Sequence, residues 1–179
     1  MKTVILVLSL LFSYPAFSQV KEDISIFHRL LIVNSENEVM VAKIENTDIW
    51  VTPGFYHNTK QTIKTSLDSI AATYSEEANS PQLKGVFTLK RDLDDKVSTS
   101  LRNVYLIRVN TLKKTLPSGI GEVKWLPLEE ALQLITFPHI SAMIEQIMNN
   151  PKQIWGGTLL QFKEDDNWSM KLIEEFYPL

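Results

Sequence analysis

Lys60, Lys64, Ser69, Thr73, Arg102 and Glu122 are the side chains whose types and spacing bear most directly on ligand chemistry. Lys60 and Lys64 are one helical turn apart at the start of a run in which Ile63, Leu67, Ile70, Ala71 and Tyr74 recur at three- and four-residue steps. Free N–H groups and the helix dipole favour an anion at such a start, so the two lysines can hold a phosphate without a metal. Lysines are also the ordinary covering of a surface helix, and that reading stands beside the first. Positions 69, 72 and 73 share the face opposite the apolar stripe. Three carboxylates there could hold Mg²⁺, a hard cation that takes oxygen ligands and bridges a substrate diphosphate. The residues present are Ser69, Ala72 and Thr73, which bring no negative charge. Arg102 can reach a ligand from its strand or form a surface ion pair with an aspartate before it. Glu122 alone makes a weak metal site. His28, His57 and His139 are too scattered for a metal-ligand pattern, and His139 after Pro138 reads as a helix-start residue.

These residues must be positioned by a strand, a turn and a helix. Trp50-Val51-Thr52-Pro53-Gly54-Phe55-Tyr56 reads as a strand end feeding a Pro-Gly turn, and a helix follows with Asn58 or Thr59 available to cap it. The stretch resembles the Nudix box of the Nudix hydrolases, G-x5-E-x7-R-E-U-x-E-E-x-G-U, where U is a bulky apolar residue. Gly54 falls on the opening glycine and Ile70 on the first U. The family's first glutamate falls at Lys60, its arginine at Asp68, its metal-binding glutamates at Ser69, Ala72 and Thr73, and its closing glycine and apolar residue at Ser75 and Glu76. The resemblance therefore implies the scaffold without the catalytic groups. A second likeness lies at Glu122-Val123-Lys124-Trp125-Leu126-Pro127 and at Phe137-Pro138-His139, and a third at Gly85-Val86-Phe87. Glu122 matches an acidic position that some members use for metal or base work.

The remaining elements follow from pattern. Residues 24–34 and 39–44 read as a hairpin about a polar turn, 83–89 as a strand, 90–100 as a solvated charged turn, and 103–109 as an alternating strand. Pro127 suits a first helical turn, with Glu129 and Glu130 at its positive end, and residues 139–149 make a further helix with Ile140, Met143, Ile144 and Ile147 inward. Residues 151–179 exceed the usual family core. They read as a terminal hairpin around Asp165-Asp166, or as a strand followed by a short helix over 170–176, packed on the same domain, where they either cover the former active face or pad the far side.

Met1-Lys2-Thr3, an apolar run to Phe12 and Ala16-Phe17-Ser18 before Gln19 have the form of a secretory signal peptide spanning residues 1–18. The expected mature chain is exported, to the periplasm or beyond, with a Nudix-like domain over 19–150 and the extension over 151–179. The chain contains no cysteine, so no disulfide forms despite that destination. The apolar run is too short to span a bilayer, and no later segment is long and apolar enough to insert. A net charge of −3 with both signs interspersed argues against nucleic acid as a partner.

The expectation is a Nudix-like α/β/α sandwich with a mixed sheet, with no catalytic residues, no metal and no cofactor, binding an unknown small molecule or protein in the old cleft. The rival reading is a divergent hydrolase of nucleoside diphosphate-linked substrates that uses Mg²⁺ on Asp68, Glu76, Glu77 or Glu122. A third is a structural partner whose aromatic extension is the interface.

Overall fold

A computed structural model describes residues 24–58, 60–75, 77–93, 96–109, 113 and 115–179. The expected signal peptide over 1–18, Thr59 and Glu76 lie outside the described residues.

The apolar run at the start of the described chain is a strand buried from both sides. In β1 (Ser25–Val33), the side chains from His28 to Val33 are all buried, because sheet neighbours flank the strand and helices cover both faces. It pairs in parallel with β6 (Lys96–Arg108) and antiparallel with β4 (Gly54–Tyr56). Beyond β6 the sheet continues through β5 (Gln82–Leu93), β8 (Trp155–Glu164) and β9 (Asn167–Pro178), with β5 and β8 parallel. On the other side, β2 (Val39–Ile44) meets β1 only at Val33–Val39 and then runs between β3 (Trp50–Val51) and β7 (Ile120–Leu126). The mixed sheet therefore splays into a smaller antiparallel wing.

Alternation along the strands sends two sets of apolar side chains to two faces. Leu30, Ile32, Met40 and Ile107 receive Leu67, Ala71 and Tyr74 of α1 (Ile63–Tyr74). Leu31, Val33, Phe87, Leu89 and Leu159 receive Ile140, Met143, Ile144 and Ile147 of α3 (Pro138–Asn149), with α2 (Leu128–Leu134) alongside. Burying each such side chain contributes roughly 1.5–3 kcal/mol. The result is the expected sandwich of helices about a mixed sheet.

Two local expectations are corrected, and one open alternative is decided. The cap of α1 is Thr62, whose hydroxyl accepts the Thr65 N–H at 3.2 Å, while the Asn58 amide oxygen accepts the Lys60 N–H instead. The charged stretch over 90–100 is mostly strand, with β5 and β6 paired out to Leu93–Lys96. Exposed Lys90 and Asp92 alternate with half-buried Arg91 and Leu93, as a two-stranded arm that covers one face requires. The terminal segment is a hairpin, and residues 170–176 are strand paired with β8 rather than helix.

Candidate functional site

Sheet alternation also carries polar groups onto an apolar face. Phe27 and Arg29 share the side of β1 occupied by Leu31 and Val33; Arg102 shares that of Val104 and Leu106; Arg91 shares that of Phe87 and Leu89; Gln161 shares that of Leu159. The four strands are neighbours in the order β1-β6-β5-β8. Arg29, Arg91, Arg102 and Gln161 thus lie on the sheet face that α3 covers, and the N-terminal residues of α3 close the space above them. They line a cavity of about 650 Å³ together with Phe27, Tyr56, Phe137, His139 and Trp168. It is also lined by the Thr52-Pro53-Gly54 turn, by Ile70 and Thr73 of α1, and by Pro117, Ser118 and Ile120.

Arg29 and Arg102 are 4% and 2% exposed, values that for arginine normally require an acidic partner. Here no aspartate or glutamate among the described residues lines the cavity or pairs with either. Arg29 Nη1 donates to the Thr52 carbonyl at 2.8 Å and to its hydroxyl at 2.9 Å, which fixes the fork. Both guanidiniums lie 5.0 Å from the centroid of the Phe27 ring, and Arg102 also lies 5.9 Å from that of Tyr56. Arg29 Nε, Arg91 Nε, and Nε and Nη2 of Arg102 remain buried without a hydrogen-bond partner, as do His139 Nδ1 and Gln161 Oε1. Burial first, then the charge of Arg102, pushes Arg29 down to about 9, so it stays a cation at neutral pH. Arg102 is likewise lowered, by burial and by Arg91. At Tyr56, burial on its own raises the phenol, but hydrogen bonding and charge from Arg91 and Arg102 outweigh it and leave the pKa lowered.

Gly54 explains how this floor is held. A Cβ there would meet the Phe27 ring and come within 2.5 Å of the His28 carbonyl, so only glycine lets β4 lie this close to β1. The box glycine is needed for packing around the ring that carries both arginines, whatever becomes of catalysis.

His139 is buried and is lowered to about 2, chiefly by burial and then by Arg29, Arg102 and Arg91. The unfolded chain takes up a proton on this residue near 6.5, whereas the folded chain does not until about 2. As pH falls below 6.5, stability is therefore lost by up to about 1.4 kcal/mol per pH unit. His28, lowered by burial and by His57, acts in the same direction. Urea unfolding at pH 6.5 and pH 5.0 should show a smaller drop for His139→Gln than for the wild type; an equal drop would mean that His139 is protonated in the native state.

The residues singled out from sequence divide. Arg102 and Thr73 line the cavity, and Arg102 is buried there rather than paired at the surface. Asp92 of the aspartates before it is exposed, and positions 94–95 lie outside the described residues. Ser69 is exposed on the outer face of α1, as is Ala72, and neither reaches the cavity. Thr73 donates its hydroxyl to the Ile70 carbonyl. Lys60 is exposed before α1, and Lys64 is bound to Asp68. Glu122 lies apart, 3.5 Å from Lys124, at a shallow depression walled by Lys43, Glu45 and Asp48. Nothing local in the sequence marks Arg29, Arg91, Gln161 and Trp168 as site residues, and His139 after Pro138 reads as a helix start.

Mg²⁺ does not fit the helix wall: Ser69, Ala72 and Thr73 supply no carboxylate. Of the substitute ligands, Asp68 is engaged by Lys64, while Glu122 is turned to Lys124 at the other depression. Among the described residues, no three His, Cys, Asp or Glu side chains converge.

The fold is that of the Nudix hydrolases. The chain is similar to the MutT protein of Bacillus halodurans, with a TM-score of 0.63 at 16% identity over 84% of this chain and 98% of that one. It is also similar to the Ap4A hydrolase of C. elegans (TM-score 0.54, 14% identity, 72% of this chain and 98% of that one). A NUDIX hydrolase from Nitrosomonas europaea gives a TM-score of 0.54 at 13% identity, covering 70% of this chain and 89% of that one. Likeness at these identities shows the fold and not the activity. No family model and no curated protein matches the sequence.

Proposed function

We propose that this chain is an exported, non-catalytic binding protein whose Nudix-fold cleft holds a small molecule without a metal. The observation that carries this reading is the inversion of charge in the cleft. The wall of α1 has Ser69, Ala72 and Thr73 where a metal needs carboxylates, and the adjoining cavity is lined by Arg29, Arg91 and Arg102 with no acidic residue among those described. A cation placed there meets repulsion and no ligand set. The cavity volume, mostly apolar walls and a few convergent polar groups suit a small-molecule ligand. A net charge of −3 with both signs interspersed argues against nucleic acid, and among the described residues no helix is long and apolar enough to cross a membrane.

Calorimetric titration with Mg²⁺ or Mn²⁺ should be silent, and ADP-ribose and dinucleoside polyphosphates should release no phosphate in the presence of either ion. Millimolar or tighter metal binding that Glu122→Gln abolishes would instead establish the divergent hydrolase. Mass spectrometry of protein recovered from the producing cell's envelope or medium should find Gln19 at the N-terminus.

A further inference from the structure

We infer that the arginine-floored cavity is a binding site for an organic phosphate, a phosphoryl head carried on a flat apolar or aromatic body. This rests on the metal-free reading above and names the ligand chemistry of the same cleft. Buried N–H groups without partners are expensive, and here they belong to three charged side chains that line one cavity: Arg29 Nε, Arg91 Nε, and Nε and Nη2 of Arg102. An oxyanion in that cavity supplies what the three guanidiniums lack, a compensating charge and hydrogen-bond acceptors. The number of cations chooses among oxyanions. A single carboxylate carries one negative charge and leaves two of the three guanidiniums uncompensated. A phosphoryl group approaches two negative charges near neutral pH and presents three oxygens in different directions, which suits donors arriving from separate strands.

Independent features agree. The N-terminus of the twelve-residue α3 opens onto the cavity through Phe137, His139 and Ile140, and no side chain caps it, so its partial positive charge is available to the same head group. His139 presents an unpartnered Nδ1 as a neutral imidazole, able to donate to an oxyanion in the appropriate tautomer. For the body, Phe137 and Trp168 meet edge to face, with centroids 5.1 Å apart, on the apolar side of the space. Trp168 comes from the terminal hairpin, so that segment contributes to the site.

The test is calorimetric titration of the full mature chain in EDTA with phenyl phosphate, inorganic phosphate, phenol and benzene-1,2-dicarboxylate, with tryptophan fluorescence as a second readout. Phenyl phosphate should bind about tenfold or more tighter than inorganic phosphate, and phenol should not bind. Arg102→Met should weaken phenyl phosphate by about 100-fold or more, the loss expected when one partner of a buried charged contact is removed. Lys64→Gln, on the exposed helix edge, should leave it unchanged. Circular dichroism of each variant separates lost binding from lost folding, and Arg91→Met gives a second substitution in the cluster. No binding by any of these anions, or equal binding by wild type and both arginine variants, overturns the inference and leaves the metal-free reading standing. Tighter binding of the dicarboxylate than of phenyl phosphate overturns the phosphoryl assignment. Binding that appears only when Mg²⁺ replaces EDTA overturns the metal-free reading itself.

Discussion

Replacing Arg102 with methionine is expected to make the ligand-free protein more stable, by about 1–3 kcal/mol, even as it removes anion affinity. Most buried side chains behave in the opposite way: cutting back a buried group leaves a cavity and lowers stability. Arg102 is 2% exposed, its Nε and Nη2 lack partners, and Arg91 lies close enough to lower its pKa. Desolvation and like-charge repulsion both count against the folded state. The stacking on Phe27 and Tyr56 returns only about 0.5–2 kcal/mol, and methionine keeps much of the volume and apolar contact. Urea unfolding at pH 7 reads the difference directly. Adding a phosphate ester should then close or reverse that gap, because a ligand at 100 times the wild-type dissociation constant stabilises the wild type by about 2.7 kcal/mol and the 100-fold weaker variant by only about 0.4 kcal/mol. A variant less stable than the wild type without ligand would show that Arg102 is a structural arginine whose cost is already met within the chain.

Ending the chain at Asn150 is expected to abolish folding altogether. The hairpin removed is part of the sheet: β8 pairs with β5 from Gly85–Trp155 to Asp92–Phe162, and Leu159 is fully buried in the core. Phe176 packs edge-on against Phe87 with centroids 5.5 Å apart, and Trp155 and Met170 lie against the same cluster. Truncation would uncover Phe87 and Leu89, both fully buried, and leave one edge of β5 unpaired. Losing burial at those residues and at Leu159 costs roughly 1.5–3 kcal/mol each, about 4.5–9 kcal/mol together before the unpaired β5 backbone is counted, against the roughly 5–15 kcal/mol that holds a typical domain. Circular dichroism and limited proteolysis should find an unfolded, rapidly cleaved chain. A cooperative folded product would make the hairpin a separable appendage.

The scaffold was legible because its signals are local. The three- and four-residue rhythm of Leu67, Ala71 and Tyr74, the Pro at the start of α3 and the apolar continuity of β1 each announce an element from within a dozen residues. The missing carboxylates at positions 69, 72 and 73 were equally plain, since spacing along one helix decides which side chains share a face. The site itself was not legible. Arg29 sits inside an apolar strand run, Arg91 inside a charged stretch that read as a turn, and Gln161 in a segment that matched no family pattern. Arg102 drew notice, but nothing local distinguished a buried cation from one paired at the surface.

Outside residues 90–100 and 170–176, helix and strand identity, together with the order of elements and the absence of a metal-binding carboxylate set on α1, was determined by the sequence alone, because each depends on residues a few positions apart. The convergence of three arginines under the start of α3 was decided only by tertiary structure. Which side chains from β1, β6, β5 and β8 meet depends on strand register across distant parts of the chain, and neither composition nor periodicity encodes that register. Local chemistry thus told what the helix wall lacks, and long-range pairing supplied the positive floor beside it.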